Sequence, residues 1–532
     1  MTKGTISLET ALWNSADTFR GKMNASDYMN YLLGLVFYKH LSDKILRKFG
    51  ELIDLPEDST LELLQEKYEE LALSEDYEEY LLELEDQTVV LLKPKETFSA
   101  LVNKIQNQEF ELTELRKIFD SIEKSDDYLN NILQDFDINS SKLGTTQVAK
   151  NKNIASVMLE IGKIDTTLEG TVDNLGDVYE YLLGKFASDN NGGEFYTPKS
   201  VSDLMSRIVT KGKEDKEKFK IADFTAGSGS LMLNAKKYMN EKVQKTLIYF
   251  GQELNGATYN LAKMNLLLHG VNIANQKLNH GDTLGDNWTE VEGKDYYMDA
   301  VVMNPPYSLK WDANPILLQD KRFSDFGVLP PKSKADLAFL LHGLDHLAED
   351  GKMAIVLPHG ILFRGASEGK IRQKLLENGN VEAVIGLPSN IFFNTGIPTT
   401  VLILSKNRQT KDVYFVDASK EFEKQKAQNI MLEEHINHVV ENYFELKEED
   451  KFSRLVPFEE IVENDYNLNI PRYIDTFEEE PEVPLEQIMN DLNRIDSEIE
   501  KSNEKLFNFM NNMIGTDEES NKELENFIKG FV

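Results

Sequence analysis

Lys220-Ile221-Ala222-Asp223-Phe224-Thr225-Ala226-Gly227-Ser228-Gly229-Ser230-Leu231 runs from a short apolar stretch, through a turn of small residues, into a helical pattern carried by Leu231, Leu233 and Ala235. This reads as strand, turn and helix. Small residues at such a turn let a ligand approach the backbone at the carboxyl end of the strand and the positive end of the helix. Gly-rich turns of this kind serve many ligands and sometimes none, so the segment speaks to fold before it speaks to function.

Five further apolar runs share the texture: Leu247 to Phe250, Asp299 to Met303, Met353 to Leu357, Val381 to Ile385 and Thr400 to Leu404. Helical patterns separate most of them, which predicts βαβ units and a doubly wound, mostly parallel sheet. The last two runs flank only Gly386 to Thr399, with no helical pattern between, so a reversed, antiparallel edge strand is expected there. Upstream, Leu8, Leu12, Met29, Leu32, Leu33, Val36, Phe37, Leu41, Ile45 and Phe49 recur at helical spacing, and Gly and Pro stay scarce through residue 165. An all-α domain over 1–165 follows. Beyond the acidic stretch from Pro471 to Pro484, Leu485, Ile488, Leu492, Ile495, Ile499, Leu506 and Phe509 keep a heptad seam broken only at Ser502. The seam suits packing on its own domain or docking another chain. The expected division is 1–165, 166–475 and a helical, partner-docking tail over 476–532.

The 532 residues are too many for one core, and their 41% apolar and 28% charged content suits ordinary globular domains. The net charge is −33. Most DNA-binding proteins are not like this, but the charge is unevenly placed: −13 over 1–160, −4 over 161–440 and −16 over 441–532. Residues 56–86 alone hold 13 acids and one lysine, the composition of a solvated helical face. The near-neutral middle keeps room for local basic patches such as Lys211 to Lys220. With no cysteine there are no disulfides, thiolate metal sites or cysteine nucleophiles. No apolar h-region opens the chain and no run approaches 18 apolar residues, so a cytoplasmic protein with no membrane association is expected.

Glu253 ends the second strand, where an acid can accept both hydroxyls of a ribose. Asp282, in Asn279-His280-Gly281-Asp282-Thr283-Leu284, is a candidate to face an adenine amino group. The most specific constellation is Asn304-Pro305-Pro306-Tyr307, directly after the strand ending at Met303. Two prolines lock an extended turn. That rigidity aims the Asn304 amide oxygen and the Pro305 carbonyl at one point. Two acceptors there hold both hydrogens of an exocyclic amine and turn its lone pair toward an electrophile. Tyr307 supplies a face for stacking a planar group.

With these residues the chain resembles the Asn-Pro-Pro-Tyr amino-methyltransferases that use S-adenosylmethionine. More closely, it is similar to the modification (methyltransferase) subunit of type I restriction-modification systems, over nearly its whole length. Further marks are Gly193 to Lys199, Gly251 to Asn255, the run from Asp336 to Gly365, Leu387 to Phe392 and Tyr466 to Tyr473. The resemblance implies the class I methyltransferase fold, with S-adenosylmethionine as methyl donor and no metal. It carries over Glu194, Phe195, Tyr196, Thr197, Pro198 and Lys199 as contacts folding over the methionine end. Asp223, Thr225, Ala226, Gly227, Ser228, Gly229, Ser230 and Glu253 match the remaining cofactor motifs, while Phe224 stands where the family often has proline. The implied reaction is direct methylation of N6 of an adenine flipped out of double-stranded DNA, with Asn304, Pro305, Pro306 and Tyr307 as the catalytic set. The implied partners are a DNA-specificity subunit flanked by two modification subunits, and a restriction and translocation subunit.

No Gly-x-x-x-x-Gly-Lys-Ser/Thr phosphate loop is present, so ATP-driven translocation is expected elsewhere. An exocyclic amine needs no covalent thiolate, which agrees with the missing cysteine. Methyltransferases acting on glutamine side chains or on RNA share the four-residue motif, and a non-catalytic scaffold subunit is a third reading. Among the central histidines His269, His280, His342, His346 and His359, His342 and His346, at i and i+4, are the pair at metal-ligand spacing, on a helix read as packing on the sheet. The acidic total implies that the isolated chain binds DNA poorly and relies on its specificity partner.

Overall fold

Lys220–Asp223 forms β1, a strand with a parallel neighbour on each side. A computed structural model describes residues 25–167, 197–285, 297–392, 396–425, 428–475, 484–515 and 517–531, with Met23, Leu182 and Asn287. The chain divides into two compact units, Met1–Asp475 and Thr476–Val532. The strands after β1 are β2 (Ile248–Glu253), β3 (Gln276–His280), β4 (Met298–Met303), β5 (Leu347–Pro358), β6 (Val381–Gly386), β7 (Thr399–Ser405) and β8 (Val413–Asp417). The short pair β9 (Glu423–Lys424) and β10 (Asn429–Ile430) precedes β11 (Ser453–Val456).

Nine strands make one sheet in the order β11-β8-β6-β7-β5-β4-β1-β2-β3. The doubly wound, mostly parallel α/β fold expected from the sequence is what forms. The reversed strand is β7, antiparallel to both β5 and β6. It is interior, not at the edge. The crossover through the helix Ala366–Glu377 sets β6 one strand-width away from β5, and the short return over 387–398 drops β7 into the gap. β8 then pairs parallel with β6, and β11 closes that side antiparallel to β8.

Side chains of β4 alternate between the two faces. Ala300 and Val302 join the cluster of the helix Lys199–Thr210, with Val201, Leu204 and Met205. Val301 and Met303 join that of the helix Asp336–Asp345, with Leu337 and Leu340. All six β4 residues are buried, as a central strand covered on both faces requires.

In the N-terminal part, the helix Ala25–Leu52 buries Leu32, Leu33, Val36, Phe37, Leu41, Ile45 and Phe49, the stripe read from the sequence. Leu8 and Leu12 lie outside the described residues. Five further helices, from Leu61–Leu71 to Gln147–Ile161, surround it. Leu261, Met264, Leu267 and Leu268 of the helix Gly256–Leu268 extend the same core, so the helical part is continuous with the outer edge of the sheet. Asp43 is buried against Lys39 and accepts both the N–H (3.1 Å) and the hydroxyl (2.7 Å) of Thr166. Arg47 binds Asp165 and Thr167. One helix thus fixes the point where the chain leaves the helical part.

In the second unit, Leu485–Asn511 is a single helix, followed by a helix Glu518–Phe531 that the sequence reading did not separate. The seam residues are exposed, from 41% at Ile488 to 81% at Leu485. Among the described residues no helix is long and apolar enough to cross a membrane.

Candidate active site

The carboxyl ends of β1, β2 and β4 border a cavity of about 420 Å³. Asp223, Thr225 to Ser228 and Ser230 contribute from the first turn, Glu253 from the second, Asp282 from the third, and Asn304 and Pro306 from the fourth. Gly229 does not line it but makes the turn possible. Its φ of +77° is left-handed, and a Cβ there would meet nothing nearer than 3.6 Å, so glycine is demanded by conformation and not by space. The Ala226 N–H donates to the Gln252 carbonyl (3.0 Å), stitching the turn to β2.

Glu253 is 9% exposed and uses both carboxylate oxygens. One accepts the Gly227 N–H at 2.9 Å and the other the Asn255 N–H at 2.8 Å. With one donor on each, both oxygens keep further acceptor capacity. Asp223 accepts the N–H (2.8 Å) and hydroxyl (3.0 Å) of Thr225 through one oxygen. Burial pushes its carboxyl up to about 7, with the Glu253 charge adding to the rise against the pull of those hydrogen bonds.

Asn304 follows the last residue of β4. Its amide nitrogen donates to the Thr197 hydroxyl at 3.1 Å, and its oxygen accepts the Tyr307 hydroxyl at 2.8 Å. Burial, with the Asp336 charge, raises the Tyr307 phenol far above its ordinary range, so it stays protonated. The turn ends at Ser308, whose φ is +52° and whose N–H donates to the buried Asp336 carboxylate at 2.8 Å. The Tyr307 ring meets Phe392 edge-on, 6.1 Å between centroids.

Thr197 therefore joins Asn304, while Pro198 and Lys199 begin the helix Lys199–Thr210 and are not among the lining residues. Pro305 and Tyr307 are likewise not among the lining residues. Glu194, Phe195 and Tyr196 lie outside the described residues. Lys211 to Lys220, expected as a basic patch, sits at the opposite, amino edge of the sheet. Lys216 pairs with Asp299 (2.7 Å) and Asp350 (3.4 Å), and Lys213 with Asp350, because β4 and β5 begin there with acids.

Sequence reasoning gave no role to Asp336 or Phe392, which stand at the ends of two of the runs read as family marks, and missed Arg322 altogether. Arg322 is 2% exposed. It binds Asp320, donates to the carbonyls of Thr283 (3.0 Å) and Leu284 (3.4 Å), and meets Nδ1 of His342 at 3.0 Å. The Thr283 hydroxyl in turn donates to the Phe224 carbonyl. Arg322 thus rivets the loop carrying Asp282 to the helix beneath it. No local signal marks it, since beyond the neighbouring Asp320 its partners lie 39, 38 and 20 residues away. The His342 and His346 rings lie 4.4 Å apart, and both meet Phe224, His342 edge-on at 4.5 Å and His346 tilted at 5.0 Å. Burial and the neighbouring His346 and Arg322 push the His342 pKa far down. The pair is packing under the turn, and among the described residues no group of three or more His, Asp or Glu is arranged to hold a metal ion.

The family model for N-6 DNA methylases matches residues 170–482, and the HsdM N-terminal domain model matches 8–161. The type I restriction enzyme MpnII methylase subunit of Mycoplasma pneumoniae is 35% identical over 520 residues, covering 92% of this chain and 93% of that one. The MjaVIII methylase subunit of Methanocaldococcus jannaschii is 32% identical over 506 residues, covering 92% and 81%. Among solved structures, a type I restriction-modification methyltransferase subunit from Streptococcus thermophilus superposes with a TM-score of 0.84 at 52% identity, over 88% of this chain and 99% of that one. An acid-tipped cavity beside an Asn-Pro-Pro-Tyr turn, on this fold and with these relatives, places the chain in the N-6 DNA methylase family, as an adenine-specific, S-adenosylmethionine-dependent DNA methyltransferase subunit of the type I restriction-modification kind.

Proposed function

We propose that the chain methylates N6 of an adenine flipped out of double-stranded DNA, with Asn304, Pro305, Pro306 and Tyr307 as its catalytic set. The observation that carries this reading is the Asn304 amide at the end of β4, bordering the same cavity as Asp223 and Glu253.

The cavity suits the cofactor in size, since small-molecule sites run from about 300 to 1,000 Å³. Glu253 has a lone pair free on each oxygen for the ribose hydroxyls. Asp223 offers negative charge to the ammonium of the methionine end, Asp282 faces the adenine amino group, and Thr225 to Ser230 bring backbone close to the ligand. The segment from Glu194 to Lys199 is assigned to the methionine end by family resemblance, and Thr197 is its member that borders the cavity. When bound, S-adenosylmethionine supplies an electrophilic methyl group on a sulfonium. No metal takes part.

Asn304 Oδ1 and the Pro305 carbonyl accept the two amine hydrogens, and the two prolines hold both acceptors still. Tyr307 stacks on the base, worth about 1–3 kcal/mol, which offsets part of the few kcal/mol of flipping. Transfer of the methyl carbon to the amine nitrogen would break the carbon–sulfur bond, leave a neutral thioether and release one N–H proton to solvent. The two acceptors stabilise the positive charge that develops on nitrogen meanwhile.

Sequence recognition belongs to a DNA-specificity subunit flanked by two copies of this chain, and cleavage to a restriction and translocation subunit. The exposed seam of Leu485–Asn511 supports a docking role for the tail. A chain of net charge −33 holds DNA phosphates weakly alone. Co-purification with the product of the neighbouring open reading frame, then sequencing of N6-methyladenine in host DNA, tests the proposal. A stable complex and one methylated motif are expected; no partner and no methylated motif would end it.

A further inference from the structure

The two arms of the Asn304 amide are nearly equal in size and opposite in chemistry. With oxygen toward the target amine, the side chain accepts a hydrogen. Turned by half a rotation, it sets NH₂ against NH₂. The terminal torsion of asparagine is broad, so the side chain alone does not choose between the two.

Two hydroxyls hold this amide from either side. The nitrogen donates to Thr197 Oγ1 at 3.1 Å and the oxygen accepts from Tyr307 Oη at 2.8 Å. A hydroxyl can play either part, but these two are unequal. The lone pairs of a phenol are drawn into its ring, so tyrosine donates more readily and accepts less readily than an aliphatic alcohol. Threonine on the nitrogen and tyrosine on the oxygen therefore favour one orientation. Oδ1 has two lone pairs, and Tyr307 takes one, leaving the other for the amine.

Both hydroxyls are themselves fixed. Thr197 precedes the helix Lys199–Thr210, which buries Val201, Leu204 and Met205 in the core. Tyr307 is held by the Ser308 N–H on Asp336. We propose that Thr197 and Tyr307 form a hydroxyl bracket that sets which face of the Asn304 amide meets the target amine, so that Thr197 is a positioning residue for transfer. The bracket rests on the function proposed above, in which Asn304 holds the amine.

The test uses the chain in complex with its specificity partner, with Thr197→Val, Thr197→Ser, Tyr307→Phe and the Val/Phe double variant. Valine matches threonine in shape, and phenylalanine keeps the stacking face. Single-turnover methyl transfer at saturating cofactor is expected to fall about tenfold in Thr197→Val and in Tyr307→Phe, the loss of one hydrogen bond each. Because Thr197 also borders the cavity, the rate is read only at saturating cofactor, and Thr197→Ser should recover the wild-type rate, since it restores the same acceptor. The double variant should lose far less than the product of the singles, because one broken arm already frees the amide. Weaker cofactor binding with an unchanged rate in Thr197→Val would overturn the bracket, as would full rates in both single variants or a fully multiplicative loss. A wild-type complex that binds cofactor yet methylates no adenine would instead remove the function on which the bracket rests.

Discussion

The Gly227 N–H donates to Oε2 of Glu253 across 2.9 Å, tying the turn after β1 to the tip of β2. The same carboxylate also accepts the Asn255 N–H. Glu253 is thus a structural acceptor that also borders the cavity. Glu253→Ala leaves the buried Gly227 N–H unpaired and removes the acceptor of the more exposed Asn255 N–H, and stability is expected to drop by about 1–3 kcal/mol in thermal unfolding. Cofactor affinity should weaken at least about tenfold by calorimetry, the equivalent of one lost charge-assisted hydrogen bond. Unchanged affinity would separate Glu253 from the ribose.

Asp223 gives the site a pH dependence. Its folded-state pKa of about 7 lies above the ordinary 3.8, so the free protein holds a proton that the unfolded chain has lost. Its contribution to stability therefore falls as pH rises from about 4 to 7. A cationic ligand favours the ionised form. Cofactor affinity should rise through pH 7, and binding near pH 7 should release protons, read by titration calorimetry in buffers of different ionisation enthalpy. Asp223→Asn should flatten the profile.

Arg322 offers a test away from the ligand. Arg322→Met keeps the aliphatic bulk but strips the donors from the Thr283 and Leu284 carbonyls and from His342. Urea unfolding should show a loss of about 3 kcal/mol or more. The KM for cofactor should rise, because the Asp282 loop loosens, while the transfer rate at saturation changes little. A stable variant with normal KM would show that the rivet is not used.

The tail predicts the reverse pattern. Leu492→Lys with Ile499→Lys alters exposed seam positions of Leu485–Asn511 and should leave cofactor affinity and the melting of Met1–Asp475 unchanged. Recovery of the specificity subunit in pull-downs should be lost. Full recovery would move the docking surface elsewhere.

What the sequence disclosed was local chemistry and periodicity. The apolar runs at β1, β2, β4, β5, β6 and β7 announce themselves because central strands are buried on both faces. β3 reads Gln-Lys-Leu-Asn-His and is half exposed, so it carries no apolar run. The place of β7 between β5 and β6 depended on a crossover that no window of residues contains. At the site, contiguous motifs such as Asp223 to Ser230 and Asn304 to Tyr307 were readable as units. The contacts from Thr197 to Asn304 and from Arg322 to Thr283 join residues 107 and 39 apart and were set only by the fold.

The most direct measurement is single-turnover transfer of labelled methyl from S-adenosylmethionine to duplex DNA by the complex, for the wild type and Asn304→Ala, with cofactor binding measured on the same samples. The wild type should label adenine at N6, and Asn304→Ala should bind cofactor normally and transfer nothing measurable. Full methylation by Asn304→Ala would contradict the assignment.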